Sequence, residues 1–295
     1  MENLKILITG NQGLLGTECV RVLYPTHEIH GFSSKVLDIR DKSQVEGRIK
    51  EIRPDIIVNC AAYTKVDACE THFQDAWDVN AIGPENLAQA VRRCGGFLVH
   101  VSTDYVFDGV RSIPHPYTEE DSPNPLSAYG KSKLAGEEAV RSLCPLHAIV
   151  RTAWLYGAAG PNFLKTMLRL SKENPSFLRK VVNDQFGSPT WTYSLAKQIK
   201  VLIESGATGT FHATDQGYCT WYELAETFLS LMGVKHNLTP CETRDYPTPA
   251  RRPFNSILEN KRLKEFGIDV MPPWQDDLKA FVKANKKQLL KSITK

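Results

Sequence analysis

Tyr129 and Lys133 stand four residues apart in Tyr129-Gly130-Lys131-Ser132-Lys133, downstream of the hydroxyl-rich segment Ser102-Thr103-Asp104. On a helix, positions i and i+4 share a face, so a phenol and an ammonium can address one carbonyl and one cofactor ribose together. A free phenol titrates near pH ~10, and a neighbouring cation lowers that value toward the range where a general acid is most effective. The expected chemistry is carbonyl reduction, in which Tyr129 protonates oxygen while a nicotinamide cofactor delivers hydride to carbon. The same spacing recurs at Tyr193 and Lys197. No hydroxyl-bearing strand end precedes that second pair, and its surroundings read as the start of an ordinary amphipathic helix.

A reductase of this kind needs a dinucleotide site, and the chain supplies one at its start. Gly10-Asn11-Gln12-Gly13-Leu14-Leu15-Gly16 follows the apolar run Lys5-Ile6-Leu7-Ile8-Thr9 and opens a helical pattern reaching Leu23. Glycines let backbone approach a pyrophosphate, and a helix N-terminus offers it unpaired N–H groups. Gly10, Gln12, Gly13, Leu14, Leu15 and Gly16 are therefore the candidate phosphate loop. The next strand ends in His30-Gly31-Phe32-Ser33-Ser34-Lys35, with no acid before Asp38. An acid there would accept ribose hydroxyls and repel a 2′-phosphate. Ser33, Ser34 and Lys35 instead suit a phosphate, so NADPH is expected, with NADH as the alternative. Asp38 and Ile39 are expected over the adenine, and Ala61, Ala62 and Tyr63 along the cofactor's middle. Asn80, at the head of a helix expected over 80–93, completes the cofactor set.

The elements that must position these groups alternate. Strands are expected over 5–9, 55–60 and 97–101, with a helix reaching Leu23 and helices over 45–52 and 80–93, a rhythm that gives a parallel sheet covered on both faces. After Ala148-Ile149-Val150-Arg151 it changes to a helix over 163–170, a strand over 178–182, a helix over 193–204 and a strand over 210–212. Thr220 and Glu223 form a capping-box pattern that opens a further helix. Residues 246–253, rich in Pro and Arg, read as a loop, and two helices close the chain. The fold class is α/β: a Rossmann-like doubly wound parallel sheet with a smaller C-terminal α/β substrate domain. The cofactor domain is expected over 1–150 with interleaved elements near 181–215, and the substrate domain over the remaining segments of 151–295.

The 295 residues, 42% of them hydrophobic, suffice for a substantial core. A net charge of +3 without a long basic run leaves nucleic acid without an electrostatic footprint. Seven scattered cysteines with no Cys-x-x-Cys indicate reduced thiols. No stretch has the pattern of a signal peptide or a membrane span, so a cytoplasmic protein without a membrane partner is expected, as a monomer or homodimer. Glu119-Glu120-Asp121 reads as a solvated acidic loop, and no metal is expected.

Six segments carry a family resemblance: Asn59-Cys60-Ala61-Ala62-Tyr63-Thr64-Lys65-Val66-Asp67, Ser102-Thr103-Asp104-Tyr105-Val106-Phe107-Asp108-Gly109, Tyr129-Gly130-Lys131-Ser132-Lys133, Arg151-Thr152-Ala153-Trp154-Leu155-Tyr156-Gly157, Asp184-Gln185-Phe186-Gly187-Ser188-Pro189-Thr190, and Arg252-Pro253 with Ser256. Nearly end to end, the chain resembles the dTDP-4-dehydrorhamnose reductase family of the extended short-chain dehydrogenase/reductases. The resemblance implies a dTDP-sugar substrate, with Thr103 holding its carbonyl, Tyr129 giving the proton, and Lys133 contacting ribose. It also implies that Thr64, Val66, Asp104 and Tyr105 approach the sugar, that Trp154 walls the pocket, and that Gln185 and Arg252 seat the diphosphate. Leu14 departs from the family, where glutamine is common, as does Ser33, where aspartate is frequent. Nucleotide-sugar 4,6-dehydratases, which are similar, need Asp-Glu where this chain has Asp104-Tyr105. Other nucleotide-sugar reductases and epimerases are the neighbouring alternatives. The regulatory β-subunit of methionine adenosyltransferase, a binding module, shares the Gly13-Leu14-Leu15-Gly16 pattern.

Overall fold

The computed structural model describes residues 3–292. At its centre lies a six-stranded sheet. Its first five strands are β1 (Lys5–Thr9), β2 (Glu28–Phe32), β3 (Ile56–Asn59), β4 (Phe97–Thr103) and β5 (His147–Thr152), and Gly209–His212 supplies the sixth. Across the sheet the order is Gly209–His212, β5, β4, β3, β1, β2, with every pairing parallel. The chain steps from β1 outward to β2, then crosses back to β3, so the order reverses between β1 and β3. In open α/β sheets that reversal leaves a crevice at the carboxyl ends of the strands, where ligands bind.

The alternation within β1 shows why both faces are covered. Ile6 and Ile8 point into one core, with Leu15, Cys19 and Leu23 of α1 (Leu14–Leu23) and with Leu195, Ile199 and Leu202 of the helix Thr192–Ser205. Leu7 points into the other, with Val45 and Ile49 of α2 (Lys42–Ile52) and Leu87 and Val91 further along. A strand buried on both sides must be apolar on both, as Ile6, Leu7 and Ile8 are. The helix Thr192–Ser205 and the strand Gly209–His212 thus complete the central sheet from late in the chain.

Two short helices, α3 (Val66–Cys69) and α4 (Phe73–Trp77), lead to α5 (Gly83–Cys94). The sequence leads one to expect a single helix from residue 80. The structure has a π turn over Asp78–Ile82 before α5 begins, closed by the Gly83 N–H on the Asp78 carbonyl. Pro84, in the first turn of α5, has no N–H for the carbonyl four residues back, so regular α bonding cannot run through this point.

Helix α6 (Ala128–Leu143) carries the Tyr-Lys pair. Ser127 caps it by accepting from the Gly130 N–H, and Glu70 accepts from the Ala128 N–H at 2.9 Å. A third core joins Leu164 and Leu168 to Phe228, Leu229, Leu278 and Phe281, drawn from the helices Phe163–Glu173, Trp221–Met232 and Trp274–Ser292. The expected capping box is present, with Thr220 and Glu223 bonded reciprocally, and residues 246–253 form a loop without helix or strand.

Candidate active site

The glycine loop sits at the reversal point. Gly10 has a φ of +65°, and a Cβ there would come within 2.9 Å of the Ala61 nitrogen at the end of β3. A Cβ on Gly16 would overlap the Gly10 carbonyl. The turn closes through the Gly13 N–H on Gly10 O at 2.9 Å. Gly13 is the N-cap of α1 and offers no side-chain acceptor, so the first N–H groups of the helix remain available to an anion. Gln12 and Gly13 are exposed, Leu14 is half-buried, and Leu15 belongs to the core. The cradle therefore fits a dinucleotide pyrophosphate through its backbone.

The end of β2 is tied to this loop by the Asn11 N–H on Phe32 O at 3.2 Å. Ser33, Ser34 and Lys35 follow immediately, Ser33 half-buried and the other two exposed. Asp38 is occupied by Arg40 at 2.6 Å, and that hydrogen-bonded guanidinium holds its carboxyl below the usual range. Ile39 turns its side chain into the core, and its carbonyl accepts from Asn86. That side chain is 4% exposed. Asn80 is fully buried, and its amide donates to Tyr63 O and Ser132 Oγ, each at 3.0 Å, while its oxygen accepts from Tyr63 N–H. With both donors used, Asn80 fastens Tyr63 to α6. Ala61 and Ala62 are half-buried, Ala61 with its backbone against Gly10.

Thr103 ends β4, and Tyr129 faces it from α6. A close approach makes this possible: a Cβ on Gly130 would overlap the Tyr105 carbonyl. Burial raises the Tyr129 phenol above its ordinary value, and the Thr103 hydroxyl partly offsets this. The expected lowering by a neighbouring ammonium is not what dominates here. Lys133 Nζ donates to Val101 O at 2.7 Å, and desolvation of the phenol outweighs the other influences on it. Lys133 is itself buried, which lowers it to about 8, with Glu137 one turn away opposing the shift. Glu137 is held in turn by Arg151 of β5, at 2.9 and 2.7 Å.

Around the phenol, Cys69, Ala76 and Tyr129 form a small cluster lined by Tyr63, Val66, Tyr105 and Ala128. Tyr105 stands edge-on to Tyr129, with centroids 5.5 Å apart. Thr64, which follows Tyr63 in the chain, is exposed. Asp104 is buried and accepts from Thr103 Oγ1 at 2.8 Å, and burial raises its carboxyl to about 6. Arg252 reaches the group from the loop 246–253, donating to the Tyr105 phenol at 3.0 Å. Gln185 is buried and donates to Thr243 Oγ1 at 3.0 Å.

Trp154 takes a left-handed backbone, φ +47°, a conformation costly for a bulky residue and found where surroundings enforce it. Its indole donates to Ser256 Oγ at 3.1 Å and stacks on Trp221 at 3.6 Å between centroids. Sequence reasoning gave Trp221 no role. Its only signal was its place inside the capping box, which speaks of helix initiation and not of a stacking partner. Asp67 was likewise visible only inside a longer motif, yet it pairs with Arg252 at 2.7 Å. Tyr193 is remote in kind: its ring lies under Arg21 at 4.3 Å and Lys197 at 4.9 Å, on the helix that packs against α1. The acids Glu119, Glu120 and Asp121 are engaged by His212 N–H, Lys261 and Arg111. Among the described residues no cluster of three or more His, Cys, Asp or Glu could hold a metal, and no helix is long and apolar enough to cross a membrane.

The family model for the RmlD substrate binding domain matches residues 4–287. A dTDP-4-dehydrorhamnose reductase of Escherichia coli is 39% identical over 293 residues, covering 94% of this chain and 96% of its own length. A dTDP-4-keto-6-deoxy-D-glucose reductase of Streptomyces niveus is 40% identical over 275 residues, covering 91% and 93%. Among solved structures, the dTDP-4-dehydrorhamnose reductase of Bacillus anthracis in complex with NADP is 42% identical, with a TM-score of 0.93, covering 96% of this chain and 100% of that one.

Proposed function

The chain belongs to the RmlD substrate binding domain family, and on that premise we propose that it reduces the C4 carbonyl of dTDP-4-dehydro-L-rhamnose with NADPH, giving dTDP-L-rhamnose. One observation carries the reading: Thr103, Tyr129 and Lys133 meet at the carboxyl end of β4, in the same crevice as the glycine cradle. The NADP complex of the Bacillus anthracis relative supports the choice of cofactor, as does the absence of an acid at Ser33. When bound, NADPH supplies the hydride. The residues of the chain do the rest. Thr103 holds the carbonyl oxygen, Tyr129 carries the proton destined for it, and Lys133 meets the ribose with a charge that the Glu137 carboxylate supports. The raised phenol keeps its proton until charge develops on oxygen, which is when a general acid contributes.

Residues 1–150, with the interleaved elements near 181–215, are assigned to the cofactor, and the rest of 151–295 to the nucleotide sugar. Tyr105, Val66 and Thr64 face the sugar, with Trp154 as a wall. We assign it as a cytoplasmic enzyme, monomeric or homodimeric. The test is turnover of enzymatically prepared dTDP-4-dehydrorhamnose with NADPH, followed by NMR of the isolated nucleotide sugar. The C4 configuration of rhamnose is the expected outcome. No cofactor oxidation by folded protein that binds NADPH would exclude the reading, and the 4-epimer as product would redirect it to a neighbouring reductase.

A further inference from the structure

The loop 246–253 reaches the rim of the catalytic group, and one carboxylate on α3 holds it there. Asp67 Oδ2 accepts from Arg252 Nη2 at 2.7 Å, and Asp67 Oδ1 accepts from the Ala250 N–H at 3.2 Å. Arg252 Nη1 donates to the Tyr105 phenol at 3.0 Å, and the Tyr105 ring abuts Tyr129. We propose that Asp67 is a positioning residue for substrate binding: it fixes the Arg252 guanidinium, between itself and Tyr105, in the orientation that receives the diphosphate of the nucleotide sugar. The inference rests on the reading of Arg252 as the diphosphate seat.

Three features favour positioning over a plain surface ion pair. The side chains are 41% and 26% exposed, a setting in which a pair contributes little stability, so the contact has little structural use by itself. A guanidinium has five N–H donors. Asp67 and Tyr105 each take one, leaving donors along the fork for an anion that prefers planar, paired hydrogen bonds. Finally, Arg252 stems from a segment without helix or strand, and a flexible arginine on such a segment loses much rotamer freedom when it binds, unless something has already ordered it.

The opposite role is also physically definite. A carboxylate beside the guanidinium competes with phosphate for it, and if competition dominated, removing Asp67 would tighten binding. The two roles therefore differ in sign. Calorimetric titration of thymidine diphosphate into the NADPH-bound protein separates them, using wild type, Asp67→Asn, Asp67→Glu and Arg252→Gln. Positioning predicts that Asp67→Asn raises Kd by about fivefold to tenfold, the scale of one lost preorganised side chain. Asp67→Glu should recover part of the loss, and NADPH affinity should not follow it. In turnover, KM for the keto sugar should rise more than kcat falls. Thermal denaturation of each variant checks that it is folded. Unchanged or tighter diphosphate binding in Asp67→Asn overturns the proposal, and so does an Arg252→Gln that binds like wild type, because the seat itself would then lie elsewhere. Wild-type protein that binds thymidine diphosphate with this variant pattern but does not reduce the keto sugar would remove the proposed reaction while leaving the role of Asp67 intact.

Discussion

The Lys133 ammonium is pinned to the Val101 carbonyl at 2.7 Å, two residues before the strand ends in Thr103. The lysine is almost fully buried, and desolvation lowers it to about 8. Because its folded value lies below its unfolded one, holding the charge costs stability fully below pH 8, and the cost fades as pH rises from there toward the unfolded value of 10.5. Lys133→Met should therefore abolish turnover yet stabilise the fold at pH 7 by on the order of 1–3 kcal/mol, after the lost hydrogen bond is counted. The gain should shrink above pH 8. Urea denaturation at pH 7 and pH 10 measures both, and a Met variant less stable at pH 7 would contradict the assigned cost.

Loss of the proton donor should show in turnover and hardly at all in cofactor binding. Tyr129→Phe should lower kcat by about a hundredfold or more, with NADPH affinity nearly unchanged. Tyr193→Phe should do little, because that ring serves as a platform for Arg21 and Lys197. Equal losses in the two variants would mean that the catalytic pair is wrongly assigned.

Cofactor preference should answer to one position. Ser33 follows the strand end that Asn11 ties to the glycine loop, so a carboxylate placed there would accept ribose hydroxyls and repel a 2′-phosphate. Ser33→Asp should move the ratio of kcat/KM values from NADPH toward NADH by about tenfold or more, the effect of roughly 1.4 kcal/mol. A wild-type protein that already favours NADH strongly would refute the reading of this strand end.

The parts legible in the sequence were those set by local rules. Alternating apolar strands and helical periods locate the central sheet, a glycine loop behind a strand announces the phosphate cradle, and Thr220 with Glu223 announces a cap. The π turn at Asp78–Ile82 was hidden because the helical period expected from residue 80 runs through its end, although Pro84 marked the break. Tyr129 was located by its spacing to Lys133, but its acidity was not. The phenol's value depends on burial produced by elements from several parts of the chain, and that burial pushes it up. Asp67 with Arg252, and Trp154 with Trp221, are pairs made by tertiary folding between distant segments, and no spacing rule reaches across them.

Gly187 lies against the Trp154 indole: a Cβ there would overlap Trp154 Cε2 and come within 2.6 Å of Nε1 and 2.7 Å of Ser256 Oγ. The indole cannot yield easily, since Trp221 stacks on it at 3.6 Å and Ser256 holds its nitrogen. Its backbone is already in the left-handed region. Gly187→Ala must therefore push Trp154 off its stack or spread the strand pairing of Phe186–Gly187 with Asn255–Ser256. Overpacking of this kind costs about 1–3 kcal/mol. With Trp154 proposed as the wall on the substrate side, KM for the keto sugar should rise while NADPH affinity holds. Indole fluorescence should report the altered Trp154–Trp221 stack. An alanine variant with wild-type stability, fluorescence and KM would show that the indole has more room than this packing allows.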